Sequence, residues 1–215
     1  MMILSHTTDA SINQQYSADC RICRLGGLMK KQPERTAVTR SVFVDTFLAL
    51  SEQKGIDKIT VSELSAKAGY NRSTFYQYFN DTYDVLSYIE DDLLLYIKNT
   101  VVSQIGKAHP EQLFIDGFIR INAEKRRILK LLLGGSSTTF PVKLKEALIP
   151  LFAAQMHLST EDEQTVYKLD FYLSGIISIL SRWITSESPM APEEYALLMR
   201  QIVEGMGRSA LFPTI

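Results

Sequence analysis

Apolar positions along this chain recur at helical spacing over most of its length. Phe43, Phe47 and Leu50 form one stripe and predict a helix from about Thr36 to Lys54, stopped by Gly55. Val61, Leu64 and Ala68 share a face of a second, shorter helix; Phe75 and Phe79 of a third can point inward, as can Tyr70 just before it. Thr82 to Gly106 reads as one long helix, and Pro110 opens another to about Ala123. The run KRRILKLLLGG makes a short helix ending at Gly134 and Gly135. Pro141 to His157 is helical with Pro150 kinking or restarting it. Two amphipathic segments finish the chain, Glu161 to Ser186 and Pro192 to Ala210. Pro192 is well placed at a helix start. The expected class is all-α, a three-helix head and a larger helical body, with about nine helices.

The densest local signal is Thr60 to Leu86, TVSELSAKAGYNRSTFYQYFNDTYDVL. Thr60 and Glu63 have capping-box spacing, so a helix begins at Val61. Ser65 and Ala68 are small enough to let a second helix cross closely. Gly69 sits where the chain must reverse, a place that favours left-handed backbone. Asn71 caps a helix expected to run from Arg72 to Phe79, and Asp81 caps the next. Arg72, Ser73, Thr74, Tyr76, Gln77 and Tyr78 are left to solvent or a ligand, with no acid between Asn71 and Asn80. An ordinary exposed helix uses Glu, Lys and Ala. Hydroxyls, amides and one guanidinium without negative charge suit a phosphate-lined groove. A short polar helix braced by its predecessor fits the major groove of DNA. The bland alternative is a helical hairpin whose aromatics serve only as core.

GYNRSTFYQYFNDTYDVL is similar to the DNA-binding signature of the TetR family of bacterial transcriptional regulators. The upstream TRSVFVDTFLALSEQKGIDKITVSELSAKA resembles that family's first two helices. The later YKLDFYLSGIISILSRWITSESPMAPEEYALLM resembles, more loosely, a C-terminal type from a branch found mostly in Gram-positive bacteria. One departure is Thr82, where the family usually carries a phosphate-contacting Lys; losing that cation weakens binding and flattens its salt dependence by about one unit of slope.

The resemblance implies residues 35–81 as a helix-turn-helix DNA-binding domain and 82–215 as a helical regulatory and dimerisation domain. Residues 1–34 are expected to be a disordered or mis-started tail. Arg72, Ser73, Thr74 and Gln77 are expected to face base edges or nearby phosphate, with Tyr76 and Tyr78 giving hydroxyls to phosphate. Thr60 and Ser62 stand at the amide-rich start of the second helix, and Arg40, Lys58 and Thr82 complete the DNA-contacting set. The family's last two helices form a four-helix dimer bundle, which carries over to Tyr172, Gly175, Ile176, Ile179, Trp183, Leu198, Ile202 and Met206. Its central helices usually enclose a ligand cavity. Phe114, Phe118, Phe140, Phe152, Met156, Phe171 and Tyr172 are candidate lining, with Arg120 or His157 as polar anchors, although aromatics at this spacing also simply build core. The expected function is a sequence-specific DNA-binding regulator: a homodimeric repressor on a pseudo-palindromic operator, released by a small-molecule effector. An activator, or a DNA-silent co-regulator acting through protein contacts, is the alternative.

Composition bounds rather than decides. The chain has 215 residues, 46% of them hydrophobic and 22% charged, within the range of ordinary globular proteins. The net charge of -1 hides an asymmetry. Residues 30–80 hold eight Lys or Arg against five acids, and residues 81–215 hold 13 against 17. A basic head on an acidic body suits a protein that meets DNA at one end. No apolar run approaches the roughly 20 residues needed to cross a bilayer, which points to a cytoplasmic protein without a membrane partner.

Cys20 and Cys23 form C-x-x-C, but with His6 as the nearby further ligand they make no expected zinc or redox site. One reading starts translation at Met29, leaving the basic arm MKKQPERTAVTRS before the first helix. Gly-rich phosphate loops and a G-x-S-x-G elbow are missing, and the three His residues have no metal spacing. No enzyme activity, cofactor or metal is expected. Lys125, Arg126, Arg127 and Lys130 form a basic run that reads as a solvated face rather than a second nucleic-acid site.

Overall fold

The structure is a computed structural model that describes residues 33–103, 110–155, 158–187 and 190–206, with all their side chains but those of 33–34, 110–115, 136, 155 and 203–206. Cys20, Cys23, Met29 and the rest of the tail lie outside the described residues. The chain divides into two compact units, residues 1–37 and 38–215. The described part of the first is the opening of one helix; the head core and the body both belong to the second.

Among the described residues the fold is all-helical, with eight α-helices. Helix α1 spans Pro33–Ser51, α2 Val61–Lys67, α3 Arg72–Phe75 and α4 Thr82–Val102. Helix α5 spans Pro110–Leu131, α6 Phe140–Gln155, α7 Glu163–Thr185 and α8 Pro192–Met206. The ninth expected helix is the second half of α5. At Lys125 the backbone leaves helical angles (φ -129°, ψ 18°), so Pro110 to Ala123 and KRRILKLLLGG, two helices by sequence, are one kinked element.

In the head, Phe43, Phe47 and Leu50 are almost wholly buried, as their spacing requires. Helix α1 ends at Ser51 rather than near Lys54, and Gly55 has an ordinary φ of -59°. The stop therefore comes from the turn over Glu52–Lys54, and Ile56 and Ile59 then plug the core behind it. The Thr60 side chain accepts from the Glu63 amide at 3.3 Å, but Glu63 does not complete the box; its carboxylate pairs with Lys54. Gly69 is left-handed at φ +75°, as its place in the turn demands. Asn71 Oδ1 accepts from the Thr74 amide at 2.7 Å and starts α3.

Helix α3 is shorter than the predicted Arg72 to Phe79. After Phe75 the chain continues as tighter turns, with the Gln77 amide on the Thr74 carbonyl and the Tyr78 amide on that of Phe75. A three-residue repeat aligns Phe75 with Tyr78, and both reach Phe43. Ring centroids lie 5.3 Å from Phe43 for Tyr70 and Phe75, and 6.3 Å for Tyr78 and Phe79. This aromatic knot holds the reading turn onto α1.

Helix α4 leaves the head capped by Asp81 and packs in the body on α5 and α6. Buried Glu90 on α4 accepts from Ser137 Oγ at 2.6 Å, Thr139 Oγ1 at 3.1 Å and Lys143 Nζ at 2.7 Å. The carboxylate holds the Lys143 ammonium above its usual pKa, and the cluster fastens the start of α6 to α4. A π-turn over Leu132–Ser136 carries the chain there through Gly135 at φ +92°. Pro150 is accommodated inside α6.

Helices α5, α7 and α8 meet at Phe118, Trp183 and Tyr195, whose centroids lie 4.6–5.5 Å apart. Tyr195 is 2% exposed and its hydroxyl has no hydrogen-bond partner among the described residues, so burial pushes the phenol well above its usual range. Removing an unsatisfied buried hydroxyl while keeping the ring relieves a desolvation cost. Tyr195→Phe is expected to stabilise the fold by about 1 kcal/mol at neutral pH in urea denaturation. The sign of the pH effect follows from the raised folded-state pKa. The contribution is intact below about pH 10 and is lost above it, because the unfolded phenol ionises first. The variant should therefore resist alkaline unfolding better than the parent.

Candidate nucleic-acid interface

The aromatic knot leaves one side of the turn outward. Arg72, Ser73, Tyr76 and Gln77 are exposed, Tyr76 by 53%. Lys58, Thr60 and Ser62, at the entry to α2, are exposed as well. Tyr76 packs its ring edgewise on Phe75 at 5.6 Å, which fixes its direction without covering it. The ridge carries a guanidinium, two hydroxyls and an amide on a backbone fixed by the Asn71 cap, with the Ser73 hydroxyl donating to Asn71 Oδ1 at 2.7 Å.

Four expected contact residues are placed differently. Thr74 is half-buried, and its hydroxyl donates to Asn71 Oδ1 at 2.8 Å. Tyr78 is half-buried against Phe43. Thr82 is only 7% exposed, because it shares the inward face of α4 with Val85, Leu86 and Ile89. Arg40 is half-buried with its guanidinium 5.5 Å from the Tyr88 ring centre and its Nε enclosed. These four brace the head more than they present to a partner. The residue that α4 turns outward beside Thr82 is Tyr83, 56% exposed. Its hydroxyl donates to Asp57 Oδ1 at 2.8 Å, a bond that raises the phenol's pKa.

Three cations of the basic run are engaged within the subunit, and the fourth, Lys130, is exposed. Lys125 lies 3.7 Å from Asp92, Arg126 donates to Asn122 and stacks 4.7 Å over Trp183, and Arg127 donates to Glu52 at 2.8 Å. The Arg127 bond holds the Glu52 carboxyl below its usual range and ties α5 to the end of α1. Both partners are more than half exposed, which limits the pair's worth. A double-mutant cycle of Glu52→Ala and Arg127→Ala should give about 0.2–1 kcal/mol of coupling at low salt, fading in high salt.

In the body, a cavity of about 70 Å³ lies among α4, α5, α6 and α7. Of the candidate ligand residues, Phe118 and Phe152 line it. Phe140 is buried elsewhere in the core, Phe171 is 70% exposed, and Tyr172 is half-buried away from the lining. Arg120 is exposed and paired with Glu124 at 3.2 Å, so it anchors nothing inside. The Phe114 side chain, Met156 and His157 lie outside the described residues. Sequence reasoning favours aromatics, whereas the rest of the wall is aliphatic and carries no signal that separates lining from core.

Of the candidate dimer residues, Trp183 is 6% exposed within its own subunit, and its Nε1 donates to the Met190 carbonyl at 2.9 Å. Ile176 lines the cavity. Tyr172, Gly175, Ile179 and Ile202 are half-buried, Leu198 is exposed, and the Met206 side chain is outside the described residues. Tyr167, Phe171 and Leu197, outside that candidate set, are apolar and largely exposed on the same two helices. Among the described residues no group of three His, Cys, Asp or Glu can hold a metal ion. No described helix is long and apolar enough to cross a membrane.

Comparison with known proteins bears on both halves. Residues 44–89 match the family model described as bacterial regulatory proteins, tetR family, and residues 108–205 match that of a transcriptional regulator C-terminal region. No curated protein matches the chain. Among solved structures, a TetR transcriptional regulator from Streptococcus agalactiae is similar with a TM-score of 0.60 at 18% identity, over 80% of this chain and 97% of that one. The fatty acid degradation regulator FadR from Bacillus halodurans gives 0.61 at 16%, over 81% and 96%. SmeT, the repressor of the Stenotrophomonas maltophilia multidrug efflux pump SmeDEF, gives 0.61 at 16%, over 79% and 90%. At these identities the likeness speaks for the fold, and the two matched segments carry the assignment: the chain belongs to the TetR family of bacterial transcriptional regulators.

Proposed function

We propose that two copies of this chain bind one pseudo-palindromic duplex operator in the cytoplasm and repress transcription by occupying it, and that a small-molecule effector in the body releases them. Residues 35–81 act as the reading head and residues 82–215 as the regulatory and dimerising part. The observation that carries the reading is the ridge of Arg72, Ser73, Tyr76 and Gln77, exposed, free of acids and fixed on the aromatic knot. Arg72 and Gln77 have the chemistry for base edges, and Ser73 and Tyr76 that for phosphate. Lys58, Thr60 and Ser62 add backbone contacts.

Dimerisation through α7 and α8 is supported by their outward apolar residues. Tyr167, Phe171, Gly175 and Ile179 follow one another at four-residue spacing, a ridge suited to helix packing, and Leu197 and Leu198 are exposed on α8. A lone short reading turn buries too little for useful specificity; two, related by a two-fold axis, read half-sites about one turn apart. Repression follows the mode named for SmeT. One observation favours a second reading, a DNA-silent co-regulator of the same fold: the family's phosphate cation is replaced by a buried Thr82.

Sedimentation of the purified chain, alone and with its own upstream duplex, separates the two. The regulator reading expects a dimer that takes up one duplex at low salt. A dimer that leaves every duplex free favours the co-regulator, and a monomer contradicts both.

A further inference from the structure

The wall of the body cavity is chemically uniform. Ile97 and Val101 come from α4, Ile121 from α5, Leu148 from α6 and Leu173 from α7, and among the described residues no lining side chain carries a nitrogen, oxygen or sulfur. Two polar side chains next in sequence to this wall, Thr100 and Ser174, are turned to other work. Thr100 donates its hydroxyl to the Tyr96 carbonyl at 2.9 Å, and its methyl faces Gly117, 3.9 Å from where a Cβ would stand. Ser174 accepts from Lys145 at 3.1 Å, and Lys145 also pairs with Asp170.

A volume of about 70 Å³ is several times the roughly 10–15 Å³ that one water needs on this measure, yet a water there would find no partner among the described side chains. Apolar cavities of this kind stay dry and accept apolar guests. A carboxylate or hydroxyl entering such a space gives up its hydration with nothing in return. Close packing of the surrounding helices also limits how far the wall can give way.

We propose, on the reading of the body as the effector-binding half of the regulator, that the molecule this cavity admits is a small uncharged hydrocarbon with no headgroup. Recognition is by shape and exclusion of water alone. Nothing among the described lining side chains can orient an acid, an amine or a sugar.

Methyl NMR of the full-length, methyl-labelled chain tests this with two probes of equal carbon count, cyclopentane and pentanoate. Cyclopentane should give saturable shifts at the Ile97, Ile121, Leu148 and Leu173 methyls. Pentanoate should bind at least about 100-fold more weakly. Absence of saturation with cyclopentane, or equal binding of pentanoate, overturns the ligand class and leaves DNA binding by the head untouched. Operator affinity is then measured with cyclopentane present. A several-fold loss supports the effector role, and unchanged affinity with a filled cavity overturns that role while the ligand class stands.

Discussion

Replacing Arg72 by alanine is expected to weaken operator binding by about 2–6 kcal/mol, because a bidentate base contact contributes roughly 1–3 kcal/mol and a dimer loses two. Fluorescence anisotropy at fixed salt reads the loss directly. The fold should not change, since Arg72 is exposed and the α3 cap is made by Asn71. Thermal melting of the variant is therefore expected to overlay that of the parent. Lys58→Ala supplies the contrast. Deleting a cation that faces phosphate lowers affinity across all sequences and reduces the salt slope by about one unit per site. Full retention of operator affinity in Arg72→Ala would remove the ridge from the interface.

Phe43→Ala is expected to cost about 3–5 kcal/mol of stability, the range for deleting a buried aromatic side chain. Phe43 is fully buried and touches four other rings, so the knot has no second centre to collapse around. Chemical denaturation gives the magnitude. Operator binding should fall as well, although every residue of the ridge is intact, because the reading turn is held to α1 through Phe75 and Tyr78. The two variants thus separate contact from support: Arg72→Ala loses binding at full stability, and Phe43→Ala loses both. A Phe43→Ala protein as stable as the parent would show that the knot is not what positions the turn.

Much of the head is legible in the sequence because short-range chemistry decides it. The Thr60 cap, left-handed Gly69, the Asn71 cap and the inward Phe43, Phe47, Phe75 and Phe79 all follow from spacing and local hydrogen bonding. The length of α3 does not follow, because tightening after Phe75 is imposed by packing of Tyr78 on Phe43. Burial of Thr82 is readable in principle: it stands three, four and seven residues before Val85, Leu86 and Ile89, so its helical phase is inward. Its place in the family motif points the other way and hides the exposed Tyr83. Trp183 reads as a partner-facing residue for a similar reason; amphipathic excess says that a helix has apolar residues to spare, not which of them its own subunit takes. The cavity is the least readable part, since aliphatic side chains at helical spacing look the same whether they meet neighbours or a small void.

Selection of binding sites from a random pool of duplex DNA by the purified protein tests the central claim most directly. Two ridges related by a two-fold axis should enrich an inverted repeat whose half-site centres lie one helical turn apart, about 34–36 Å. Enrichment of a single unrepeated element, or of nothing at low salt, would contradict it.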